Sequence, residues 1–280
     1  METILSADGT TIAYERTGAG PPLVLVHGSS SSGVGWARSL PALARHATTY
    51  AIDRRGRGGS GDATRYAIER EVEDLLAVVD AVGAPVDLLG HSYGAIVALE
   101  AAVRTDRLRS LILYEPPIQV GADDVPDDLG DRLAALLATG DREGVMLTFL
   151  REGPGFSPET IAAMRGLPTW PDRLALAHTL PRELQAVRRY ALDPARVAAV
   201  TVPTLLLLGG ESPALFSAAI EALHAAMPHS ALVVLPGQHH NAMDTAPGYC
   251  QVKSCWRAAG ERGRAVRRVA PLVRPGRGCR

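Results

Sequence analysis

Short uninterrupted apolar runs alternate along this chain with longer amphipathic ones. The runs Leu23–Val26, Thr49–Ile52, Val86–Leu89, Leu111–Tyr114, Leu205–Leu208 and Leu232–Leu235 lack the polar alternation of a half-exposed strand. They suit a parallel sheet, whose strands are buried on both faces. The opening differs: Thr10–Arg16 alternates polar and apolar side chains and pairs with Thr3–Ala7 across Asp8-Gly9, which predicts an antiparallel hairpin. Helical periodicity fills most intervals, as in Glu69–Val82, where Val72, Leu75, Leu76 and Val79 share one face. The pattern predicts an α/β fold, a mostly parallel sheet with helices on both faces.

From about Pro116 to Thr201 the alternation stops. Helical segments such as Asp131–Leu137, Thr160–Met164, Pro171–Thr179 and Glu183–Ala191 follow one another, separated by Gly and Pro. One crossover between parallel strands needs only about a dozen residues. The stretch therefore predicts an inserted helical cap over the strand ends. The domain organisation that follows is a core of residues 1–116 and 202–249, a cap of 117–201, and a tail of 250–280.

Composition narrows the class without naming a reaction. The 280 residues are 46% hydrophobic and 21% charged, with a net charge of −1. That is an ordinary globular balance with no overall attraction to nucleic acid. Met1–Asp8 has neither a basic start nor a long apolar stretch, so no signal peptide or membrane span is expected, and the expected location is cytoplasmic. The tail departs from this balance, with nine of the 29 Lys and Arg but only one of the 30 acidic residues. A basic arm for anionic surfaces is one reading. We favour the other, a segment not shaped by this fold and not expected to pack, as a reading-frame change near residue 248 would leave. Cys250, Cys255 and Cys279 all fall there without partners at metal-ligand spacing, so neither zinc nor a disulfide framework is expected.

Candidate chemistry centres on Gly90-His91-Ser92-Tyr93-Gly94, which closes an apolar run and opens the Ala-rich helix former Ala95–Val103. Such a turn holds a serine hydroxyl beyond the end of a sheet, and its glycines avoid Cβ clashes where strand meets helix. The hydroxyl needs a base to take its proton and a third group to orient that base. His239 and His240 follow the run ending at Leu235, and the distance from the strand end favours His240. Charge developing on a carbonyl oxygen needs fixed donors. The N–H groups of Tyr93 and of Ser29, in the loop after Val26, are assigned that role. Trp36, Phe149, Phe156, Trp170 and Tyr190 are candidate pocket walls. Gly56, Gly58 and Gly61 spell a dinucleotide-binding pattern, but no helix follows promptly and no acidic strand end lies about 20 positions on. That loop is read as structural, with Arg54, Arg55 and Arg57 as candidates for attracting an anionic substrate.

The motifs His27-Gly28, Asp53-x-Arg55-Gly56-x-Gly58-x-Ser60, Gly90-x-Ser92-x-Gly94 and Pro236-Gly237-x-x-His240, in this order, resemble the α/β-hydrolase superfamily. The resemblance implies an eight-stranded, mostly parallel sheet, a helical cap, a Ser–acid–His triad in that chain order, and no cofactor or metal. It usually implies an aspartate after Leu205–Leu208, but here Gly209-Gly210-Glu211-Ser212 puts serine at that place. Glu115, at the end of the strand after the nucleophile helix, is preferred as the acid, since some family members take it from there. Glu211 is the alternative, and Asp244 a distant third. The resemblance also implies an apolar helix after the catalytic histidine, which the tail hardly supplies. The expected function is hydrolysis of an ester, lactone, thioester or amide on a small-molecule substrate. The alternatives are a perhydrolase or haloperoxidase-like reaction on the same serine, and a non-catalytic small-molecule-binding relative.

Overall fold

The computed structural model describes residues 1–121 and 125–246, and the backbone of 266–268. The hairpin forms as β1 (Glu2–Leu5) and β2 (Thr11–Thr17), closed by a turn in which Gly9 has φ 83°. The apolar runs become β3 (Pro22–Val26), β4 (Thr48–Ile52), β5 (Val86–His91), β6 (Leu108–Tyr114), β7 (Thr204–Gly209) and β8 (Ser230–Leu235). They lie in the order β1-β2-β4-β3-β5-β6-β7-β8, antiparallel at β1–β2 and β2–β4 and parallel from there on. This is the eight-stranded, mostly parallel sheet that the motifs implied. A short ninth strand, β9 (Val266–Arg268), adds in parallel beside β8. The rest of the basic tail, with its three cysteines, lies outside the described residues.

Both faces of the sheet are covered. On one, α2 (Ile68–Val82) and α3 (Tyr93–Ala102) pack Val72, Leu75, Val79, Ile96 and Leu99 onto Val24, Val26, Leu88 and Leu111. Every residue of α3 is buried, and its alanines let the helix lie close to the strands. On the other face, Trp36 and the single turn α1 (Leu40–Leu43) meet Leu23, Leu25, Leu205 and Val233.

Between β6 and β7 the chain is helical: α4 (Leu129–Ala138), α5 (Arg142–Glu152), α6 (Pro158–Arg165), α7 (Trp170–Ala175), α8 (Leu180–Arg189) and α9 (Pro194–Val197). The segment expected at Pro171–Thr179 divides into α7 and a 3-10 turn, Ala177–Thr179. Helix starts follow local chemistry, with proline in the first turn of α6, α7, α8 and α9 and side-chain caps from Asp141, Ser157 and Asp193. Helices α4 to α8 share an apolar cluster of their own around Leu133, Met146, Phe149, Leu180 and Leu184, whereas Val197 of α9 joins the core on the sheet.

The strand order sets the site. From β3 the chain moves outward to β4, then returns past β3 to β5. At such a reversal the loops leaving two adjacent strands diverge, and the crevice beyond their C-terminal ends is open to a ligand.

Candidate active site

Ser92 stands in that crevice, between β5 and α3, with φ 54° and ψ −127°. Among the described residues, the others outside glycine with positive φ are Ser30 and Glu115, which follow β3 and β6. Each such conformation costs on the order of 1 kcal/mol and persists only where its surroundings enforce it. Close packing enforces the Ser92 turn. A Cβ on Gly90 would lie 2.4 Å from the Gly94 carbonyl oxygen, and one on Gly94 2.4 Å from that of His27. A Cβ on Gly28 would lie 2.8 Å from Ser92 Cβ, so the β3 loop and the serine turn abut.

After β8 the chain turns at Gly237 (φ 66°) and brings His240 back over the sheet edge. Its Nδ1 lies 2.6 Å from Oε2 of Glu115, which is fully buried. The other oxygen, Oε1, accepts from the Gly209 N–H at the end of β7 (2.5 Å). A carboxylate accepting at both oxygens puts the imidazole proton on Nδ1 and leaves the Nε2 lone pair available. Two more contacts hold the His240 segment: Tyr114 Oη donates to the His239 carbonyl, and His91 Nε2 donates to the His240 carbonyl (2.8 Å). The His240 ring stacks on Phe216 of α10 (Ala214–Ala226), with centroids 4.1 Å apart and planes at 15°.

Ser92, His240 and Ser29 line one cavity of about 110 Å³. Trp36, Phe149 and Phe156 form part of its apolar wall, whereas Trp170 packs inside the cluster shared by the inserted helices and Tyr190 donates to Glu100 (3.0 Å), so neither of these lines it. Tyr93 opens α3, where its N–H has no acceptor within the helix. Its side chain points into the core, with Oη 2.7 Å from that of Tyr66. The Glu211 side chain is exposed, and its backbone carbonyl faces His239 Nδ1 (2.8 Å). Neither His239 nor Glu211 joins the Ser92 cavity, while Asp244 lines it without bonding to His240.

Residues 23–252 match the family model described as the alpha/beta hydrolase family. The chain belongs to the alpha/beta hydrolase family. It is 41% identical to an alpha/beta hydrolase from Sphaerobacter thermophilus, with a TM-score of 0.82 over 90% of this chain and 99% of that one. It is 28% identical over 242 residues to a pimeloyl-[acyl-carrier protein] methyl ester esterase of Aeromonas hydrophila, covering 82% of this chain and 92% of the relative. It is also 36% identical over 119 residues to an N-formylmaleamate deformylase of Pseudomonas putida, 41% of this chain. That match spans 44% of the deformylase, less than half of its length.

The arginine-rich loop of this alpha/beta hydrolase does not offer its charges to a substrate. Arg54 bonds Glu71 and Glu183, Arg55 bonds Asp74 and Asp8, and Arg57 bonds Glu183. Gly58, with φ 55°, is required there because a Cβ would lie 2.0 Å from the Asp53 carboxylate, which accepts the N–H groups of Gly33 and Gly59. The loop is structural, and its arginines are committed to ion pairs.

Sequence reasoning missed three contributors to this site. Glu183, from α8, is buried and ties the helical segment to Arg54 and Arg57 beneath the serine turn. Phe216 supplies the face under His240, and Arg173, from α7, reaches the Ser30 carbonyl (2.9 Å). Each sits on a helix whose direction only tertiary packing decides. The one readable signal was the acidic residue at the start of α8 beside an excess of arginines in the loop.

Proposed function

We propose that this chain is a serine hydrolase that cleaves an ester, lactone, thioester or amide through an acyl-enzyme. The observation that carries the reading is the Glu115–His240 hydrogen bond, made at the wall of the cavity that Ser92 also lines. Ser92 Oγ attacks the carbonyl carbon while His240 Nε2 takes its proton. The N–H groups of Tyr93 and Ser29 bind the oxygen that becomes negative; a single such donor is worth about 3 kcal/mol of barrier. His240 returns the proton to the leaving group. Water then attacks the acyl-enzyme with His240 again as base, releasing the acid and restoring Ser92. Glu115 keeps the ring in one tautomer and stabilises its cationic form.

Residues 1–116 and 202–249 act as the catalytic core and 117–201 as the cap that shapes the pocket. The names of the esterase and deformylase relatives, one describing an ester and one a formyl group removed, support acyl transfer to water. No metal or cofactor enters any step, and the expected setting is the cytoplasm. Among the described residues no helix is long and apolar enough to cross a membrane. Turnover of p-nitrophenyl butyrate by the wild type, and its loss in Ser92→Ala, is the expected result. A folded wild type that hydrolyses neither this ester nor its thioester and lactone counterparts would remove the reading.

A further inference from the structure

Arg173 of α7 lines the same cavity as Ser92 and His240. Its Nη1 donates to the Ser30 carbonyl (2.9 Å), with Ser30 Oγ 3.4 Å away. Among the described residues, no carboxylate oxygen comes within 4.0 Å of this guanidinium. Its neighbours differ. Arg188, also on the cavity wall, pairs with Asp127, and the buried Arg54, Arg55 and Arg57 all have carboxylate partners.

The carboxylates on the cavity wall do not meet the need. Glu183 is committed to Arg54 and Arg57. Asp244 is felt electrostatically but lies beyond ion-pair distance, and burial pushes its carboxyl above its ordinary value. Burial likewise pushes the Arg173 guanidinium below its ordinary value, with Asp244 opposing. A planar guanidinium with unused donors on the cavity wall matches a carboxylate in shape and charge. Ser30 adjoins Ser29, so Arg173 is bonded to the loop that carries the Ser29 N–H and lines the same cavity.

We propose that Arg173 binds a carboxylate carried by the substrate, making the preferred substrates short esters or amides with a free carboxylate near the scissile bond. The inference rests on the hydrolase reading. Its alternatives are a purely structural clamp between α7 and the Ser30 loop, and a cationic substrate bound by Asp244.

Two matched pairs locate the anion. Mono-p-nitrophenyl glutarate against p-nitrophenyl butyrate reads a carboxylate on the acyl side, and 3-acetoxybenzoate against phenyl acetate reads one on the leaving group. The wild type is expected to favour the anion in one pair by kcat/KM. Arg173→Met is expected to lower that preference about 30-fold, with Arg173→Lys between the two. A clamp would lower both members equally and leave the ratio unchanged, which would overturn the proposal, as would the absence of any preference for an anion in either pair.

Calorimetric titration of glutarate and of 3-hydroxybenzoate into Ser92→Ala does not depend on turnover. Saturable binding of one of them, weakened about 30-fold by adding Arg173→Met, supports the anion site. Absence of binding for both overturns it. Should the wild type hydrolyse no ester, the hydrolase reading fails by itself and the titration still decides the site.

Discussion

The Glu115 carboxylate lies 2.6 Å from His240 Nδ1 across the ends of two strands that are not neighbours, β6 and β8. The intervening strand, β7, is not idle, because its Gly209 N–H holds the second carboxylate oxygen at 2.5 Å. Glu115 reaches this place from a backbone with φ 48°. The extra methylene of glutamate and the strained backbone together span what an aspartate after β7 spans in the pattern that the motifs resemble.

That pairing separates the two candidate acids. Glu115→Gln is expected to lower kcat/KM by about 10³-fold or more, because the amide no longer enforces the productive tautomer. Glu211→Gln, on an exposed side chain, is expected to stay within about threefold. Steady-state kinetics on one ester compares them, and the reverse order would transfer the role to Glu211.

Tyr114 holds the histidine loop by two bonds, donating to the His239 carbonyl and accepting from the Ala242 N–H (3.3 Å). Tyr114→Phe leaves both backbone groups without this partner, which is expected to cost about 1–3 kcal/mol in urea unfolding. Loss of ring position is expected to show as a drop in kcat of about tenfold with KM little changed. An unchanged kcat would mean that His91 and Phe216 suffice to fix the ring.

Glu183 is the hinge of a buried ionic cluster in which Arg54, Arg57 and Glu71 are also almost fully covered. Removing one member strands the others' charge. Glu183→Ala is therefore expected to cost about 3–5 kcal/mol of stability, read by denaturant unfolding. A loss below about 1 kcal/mol would put this cluster with surface ion pairs in its worth.

Acid sensitivity follows from buried groups, His27 and Glu183 among them. His27 accepts the Arg54 N–H at Nε2 (3.2 Å), and burial, with Arg54 and Arg57 close by, pushes its pKa well below 6.5. The unfolded chain takes up this proton first, so the contribution is full above pH 6.5 and falls as the pH drops below it. For Glu183, burial opposes ionisation but Arg54 and Arg57 outweigh it and hold the pKa at about 2, against an ordinary 4.5. Its contribution is full above pH 4.5 and is lost as the pH falls toward 2. Urea midpoints are expected to fall in both windows, with His27→Asn reducing the upper fall but not abolishing it, because burial pushes His91 in the same direction. A pH-independent midpoint in the wild type would contradict both.

The sheet was legible because its strands are buried on both faces and so read as unbroken apolar runs, from Leu23–Val26 to Leu232–Leu235. The serine turn was legible for a local reason, since Gly90 and Gly94 are forced by contacts within a few residues and with the adjacent β3 end. The arginine loop misled because charge reads as exposure in a sequence, whereas Arg54, Arg55 and Arg57 are buried by partners up to 129 positions away. Trp170 and Tyr190 misled in the same way. Trp170 turns into the apolar cluster of the inserted helices, whereas Tyr190, just past α8, packs against the core on the sheet, and only tertiary packing decides such directions.

The central claim, an activated serine at position 92, is tested most directly by fluorophosphonate labelling. Intact and peptide mass spectrometry would follow the wild type, Ser92→Ala and Glu115→Gln. The account predicts one rapid adduct on the peptide containing Ser92, absent in Ser92→Ala and strongly slowed in Glu115→Gln. A folded wild type that takes no label, or takes it on another residue, would contradict it.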